Sequence, residues 1–119
     1  MIKDVHSAII WTEEMGRLLP FYRDVLGMGT QMEADGFVLL GGGKLALGVH
    51  SDVKGTSRDP NRMMVNLAVD DCRAEYERLS EQGVKFLREP SQDQGGVIIA
   101  TLADPDGNVL QLFQEGAGG

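Results

Sequence analysis

The sequence is poor in the residues from which disulfides, metal centres and nucleic-acid surfaces are built. It holds one cysteine, two histidines and one tryptophan, with 11 Lys and Arg against 18 Asp and Glu. A lone Cys72 cannot close an intrachain disulfide. With Tyr76 one helical turn further on and no histidine nearby in sequence, it reads as a small buried apolar side chain, not a nucleophile. The formal net charge of −7 repels a phosphate backbone, and no basic run with interleaved aromatics offsets it, so nucleic acid is excluded as a partner. No apolar run approaches the roughly 20 residues of a membrane-spanning helix, so no membrane is expected. Asp4 and His6 interrupt the short apolar opening "MIKDVHSAIIW", which lacks the plan of a secretory leader. A cytoplasmic location is the expectation.

What is present is a chain of 119 residues, 42% hydrophobic and 24% charged, which suits one globular domain over 1–119. Its plan occurs twice. Alternating apolar residues predict a strand over 5–11, and Thr12 closes it. Pro20 predicts a break, with the main helix restarting there through Phe21, Tyr22, Val25 and Leu26 and stopping at Gly27. Short strands follow near 28–32, 36–40 and 44–49, joined by the turns "ADG" and "GGGK". A polar, aperiodic stretch over 51–62 predicts a linker between module one (1–50) and module two (63–114). Module two repeats the order: a strand over 63–69, a helix capped by Asp71 with Cys72, Tyr76 and Leu79 on one stripe, Gly83 as its stop, then strands near 84–88, 97–102 and 109–113. Residues 115–119 are expected to form a flexible tail. Internal repetition on this scale bears on the fold before any motif does.

Four segments carry a family resemblance: "HSAIIW", "LLPFYRDVLGM", "MVNLAVDD" and "ATLADPDGNVLQLFQ". Together they span nearly the whole chain and resemble the vicinal oxygen chelate superfamily of glyoxalase I, extradiol dioxygenases and bleomycin resistance proteins. The resemblance implies an α+β fold of two βαβββ modules whose sheets form an open, barrel-like cleft with the helices outside, and frequent dimerisation. In metal-using members four strands supply ligands. Carried onto this chain, those positions are His6, Ala46, Met64 and Gln111. Overlaying "LAL" (45–47) on "LQL" (110–112) pairs Ala46 with Gln111, and overlaying the opening strands pairs His6 with Met64. Period-two alternation places Leu45, Leu47, Val49, Val65, Leu67, Val69, Leu110 and Leu112 against the helices and leaves Ala46, Met64 and Gln111 on the cleft side.

Those four residues make a poor metal site. A catalytic divalent ion needs about three His, carboxylate or thiolate ligands. Ala46 has no donor, the Met64 thioether suits soft ions, and only His6 and Gln111 remain as candidate ligands. No metal or other cofactor is therefore expected, the alternative being one divalent ion such as Zn, Ni, Mn or Fe. "DPDGN" begins like a calcium loop, but Val109 stands where that loop requires glycine. "GGGK" is followed by strand-forming residues, so no helix N-terminus is there to receive phosphate. The cleft side offers Ile10, Phe37, Met64, Asn66, Val109 and Phe113, with His6 and Gln111 as polar fixtures. His6 is its one candidate for acid–base catalysis. This surface predicts a binder of a small organic molecule, with Phe37, Ala46, Asn66, Phe113, His6, Met64 and Gln111 as contacts. It also predicts a homodimer. The alternative is a metal-dependent lyase or dioxygenase similar to glyoxalase I.

Overall fold

The chain divides into two compact units after Gly55, within the stretch predicted as a linker. The computed structural model describes residues 1–116; the last three positions of the predicted tail, 117–119, lie outside the described residues. Each unit is a βαβββ module with one four-stranded sheet, giving the α+β fold class that the sequence predicts.

In the first unit β1 (Ala8–Thr12), β2 (Thr30–Ala34), β3 (Phe37–Leu40) and β4 (Leu45–Val49) take the order β1-β4-β3-β2. β1 runs parallel to β4, and the other pairs are antiparallel. Parallel pairing needs a crossover, and the helical segment between β1 and β2 is part of it. That segment lays Leu18 and Tyr22, both fully buried, into the core that also holds Val38, Leu40, Leu45 and Leu47. Burying a side chain of this size stabilises the fold by about 1.5–3 kcal/mol.

The predicted break at Pro20 does not occur. Helix α1 (Met15–Pro20) continues into a π-helical segment, Phe21–Val25. Proline has no N–H to give the carbonyl of Gly16, and its ring crowds that carbonyl. The chain responds by widening its turns. The N–H of Leu26 reaches the carbonyl of Phe21 at 2.8 Å, five residues back. Gly27, with φ +76°, then ends the helix as predicted.

In the second unit β5 (Met64–Ala68), β6 (Phe86–Gln92), β7 (Ile98–Ala103) and β8 (Val109–Gln114) take the order β5-β8-β7-β6. Helix α2 (Cys72–Glu81) is capped as predicted: Asp71 accepts the N–H of Ala74 at 3.0 Å. A second tie is absent from the sequence reading. The Gln114 side chain at the end of β8 accepts the N–H of Cys72 at 2.8 Å, fixing the start of α2 to the sheet. Leu79 and Cys72 reach the core beside Ala100, Leu102, Leu110 and Leu112, and Tyr76 meets Phe86 edge-on at 4.6 Å.

β6 runs past its predicted end near residue 88 and through Pro90. Its register against β7 shifts twice, between Phe86 and Arg88 and again before Ser91. A bulged strand at the edge of its sheet accommodates a residue that cannot donate to the ladder. The "DPDGN" turn is tight, as expected. The Asp104 carboxylate accepts the N–H groups of Asp106 and Asn108, both at 2.9 Å, and the Asn108 side-chain amide at 2.8 Å.

Candidate functional site: the sheet faces opposite the helices

Residues paired across strands point to the same side of a sheet, so the registers assign faces directly. In the first sheet Ala8 and Ile10 pair with Leu45 and Leu47 on the helix side, whereas Ile9 and Trp11 pair with Ala46 and Gly48 on the other. Phe37 and Leu39 join that second face through their partners Gly48 and Ala46. It is wholly apolar at these positions. Trp11 crosses Gly48 closely enough that a Cβ there would stand 2.6 Å from its Cε3. The Trp11 ring also meets the His50 ring edge-on at 5.5 Å.

Two expectations for this strand are corrected. Ile10 lies on the helix side, not the cleft side. His6 lies before β1 begins, is exposed, and has its Nδ1 3.1 Å from the Ser7 hydroxyl. The overlay of His6 on Met64 was out by one residue. Ala46 pairs with Ile9 and its counterpart Gln111 pairs with Asn66, so counting back two residues matches Met64 with Ser7. The cause is legible in "AIIWT", which is apolar on both faces and so leaves the alternation without a polar side to fix its phase. The signal that could have fixed it was the partner strand, whose Leu45 and Leu47 require Ala8 and Ile10 beside them.

The second sheet brings together what the sequence assigned to it. Met64 pairs with Val109, Asn66 with Gln111 and Ala68 with Phe113, all on the face away from α2. The registers of β7 and β6 extend these pairs into rows that sequence reasoning missed. Gln111 pairs with Thr101, and Thr101 with Arg88. Asn66, Gln111, Thr101 and Arg88 thus form one polar row across all four strands. On one side of it lie Met64, Val109 and Ala103; on the other lie Ala68, Phe113, Ile99 and Ser91. The Ser91 hydroxyl is buried and has no hydrogen-bond partner among the described residues. At the C-terminal ends of β5 and β8 a hollow of about 440 Å³ is lined by Ala68, Val69, Asp70, Phe113, Gln114 and Glu115. It shares Ala68 and Phe113 with the face.

The donor set at the implied ligand positions does not fit a divalent metal. The first sheet offers Ala46 and the second offers a thioether and an amide, Met64 and Gln111. Among the described residues no three His, Cys, Asp or Glu side chains gather as a metal site requires. The ionisable groups with displaced acidity also lie off both faces. The Arg23 guanidinium hydrogen-bonds Asp24 and holds its carboxyl below the usual range, and burial pushes the Cys72 thiol up.

The family model for the Glyoxalase/Bleomycin resistance protein/Dioxygenase superfamily matches residues 4–112. The chain belongs to this superfamily. A protein of unknown function from Agrobacterium tumefaciens str. C58 superposes with a TM-score of 0.81 at 18% identity, covering 97% of this chain and 96% of that one. A glyoxalase/bleomycin resistance protein/dioxygenase from Nocardioides gives 0.73 at 20% identity, over 100% and 88%. At such identities these likenesses describe the fold alone, because one fold carries many chemistries. In sequence, the Bacillus subtilis (strain 168) protein YurT is 45% identical over 47 residues, 40% of this chain and 36% of that protein. The match therefore spans about a third of the curated relative's length.

Proposed function

We propose that this superfamily member binds a small organic molecule on the sheet face of its second unit and does so without a metal. The observation that carries this reading is the row of Asn66, Gln111 and Thr101 set between apolar rows containing Met64 and Phe113. Directional hydrogen-bonding groups on an apolar floor suit a partly planar ligand. The same face lacks the carboxylates and imidazoles that metal-assisted lyase or oxygenase chemistry requires.

The test is a thermal-shift screen of planar aromatic amides and acids, run with and without EDTA, beside elemental analysis of the purified protein. Chelation leaves the shift of a true ligand intact. Gln111→Leu weakens that ligand by about 1–3 kcal/mol, because a buried hydrogen bond to it is lost. Binding that disappears on chelation and returns with Zn, Ni, Mn or Fe would overturn the proposal in favour of a metal-dependent enzyme.

A further inference from the structure

We infer that the second unit's sheet face is selective for carboxylates: its ligand is a small molecule with one carboxylate on an apolar body, and Arg88 is the anion contact. This inference rests on the reading that the ligand occupies that face. The register shift between Phe86 and Arg88 carries it. Phe86 pairs with Leu102 and packs on Tyr76 of α2, so it belongs to the helix side. Without a bulge, Arg88 would alternate back to that same side. The extra residue instead leaves both Leu87 and Arg88 opposite Thr101, and Arg88 joins the row of Thr101, Gln111 and Asn66. Adjacent strands lie about 4.8 Å apart, so the row runs about 14 Å from Asn66 to Arg88.

Arg88 is also free to act. Arg23, Arg62 and Arg78 each face a carboxylate within the chain, whereas Arg88 is exposed and makes no hydrogen bond or ion pair with its side chain among the described residues. In a chain of net charge −7 an anion meets overall repulsion and needs a local cation. A single planar guanidinium matches a carboxylate through two parallel hydrogen bonds, whereas a doubly charged phosphate would call for further cations that this row does not have. At the β5–β8 side, Asp70 and Glu115 line the hollow beside Phe113. That acidic margin directs a carboxylate away from Phe113 and towards β6, leaving the apolar body over Phe113.

A matched pair of probes, 3-phenylpropionate and 3-phenylpropanamide, tests this with the full chain by amide chemical-shift titration. The expected result is that both probes shift signals of the row from Asn66 to Arg88 and that the acid binds more tightly. Arg88→Gln lowers the acid's affinity about tenfold and leaves the amide's within twofold, and Arg88→Lys retains part of it. Arg73→Gln, the same charge change on the exposed surface of α2, leaves both probes unaffected. Equal binding of acid and amide on this face, unaltered by Arg88→Gln, would overturn the carboxylate inference and leave the binding face standing. Shifts from both probes that avoid the row, or none at millimolar concentrations, would overturn the inference and the binding face together. Melting curves of each variant confirm that it is folded.

Discussion

Replacing Gly48 with alanine tests the packing of the first sheet's apolar face. A Cβ at this position collides with the Trp11 ring, contacting Cζ3 and Cε3 first. Trp11 is 42% exposed, so the ring has room to swing away instead of forcing the backbone apart. The displaced ring gives up its contact with the strand beneath it. If that uncovers ~50–80 Å² of apolar surface, the loss at ~25 cal/mol/Å² is about 1–2 kcal/mol. Against it stands the gain of alanine over glycine within a strand, about 0.5–1 kcal/mol. A net destabilisation of up to about 1.5 kcal/mol follows. Urea denaturation reads it, and because Trp11 is the sole tryptophan its fluorescence reports the ring's new environment in the same titration. A double-mutant cycle with Trp11→Leu isolates the collision, since Gly48→Ala becomes neutral or stabilising once the ring is gone. If Gly48→Ala costs the same in both backgrounds, Trp11 does not lie over Gly48 and the face assigned to β1 is wrong.

Asp104→Ala removes the acceptor of two backbone N–H groups and a side-chain amide in the turn before β8, so it costs about 3–5 kcal/mol in urea unfolding; a change below 1 kcal/mol would refute the turn's hydrogen bonding. Cys72 is fully buried and its thiol is pushed up mainly by burial, so Ellman's reagent at pH 8 reacts only as fast as the chain opens. The unfolded thiol ionises near ~8.5 while the folded one keeps its proton, so stability is full below that pH and declines as pH rises above it; stoichiometric labelling within seconds would contradict the burial. A homodimer is expected, as each sheet ends in edge strands and the first carries an apolar face; sedimentation that shows a monomer independent of concentration at tens of micromolar would exclude it.

Much of the fold was legible because local signals and the internal repeat agree. Asp71 as a helix cap, Gly27 and Gly83 as helix stops, and Asp104 with Gly107 as a turn are each set by a few neighbouring residues. They are found where the sequence places them. The misreading at Pro20 shows the limit of such local rules. Proline does remove a bond from the helix, but Leu18 on one side of it and Tyr22 on the other both belong in the core. Holding both there favours a widened helix over an interrupted one.

The candidate site was legible only where one face of a strand is polar. In "MVNLA" and "VLQLF" a single amide stands among apolar residues, and that amide fixes which side faces away from the helix. Asn66 and Gln111 accordingly pair on the side away from α2. "AIIWT" has no such marker, so His6 was put in register with Met64 when the pairing of β1 with β4 puts Ser7 there. Arg88 was missed for a different reason. Strict alternation from Phe86 assigns it to the helix side, and only a bulge reverses that assignment. Bulges follow from how two strands fit each other, not from the composition of either one. Side chains re-aimed in this way are invisible to period-two reasoning, and Arg88 is the cation this chain places in the row of Asn66, Gln111 and Thr101.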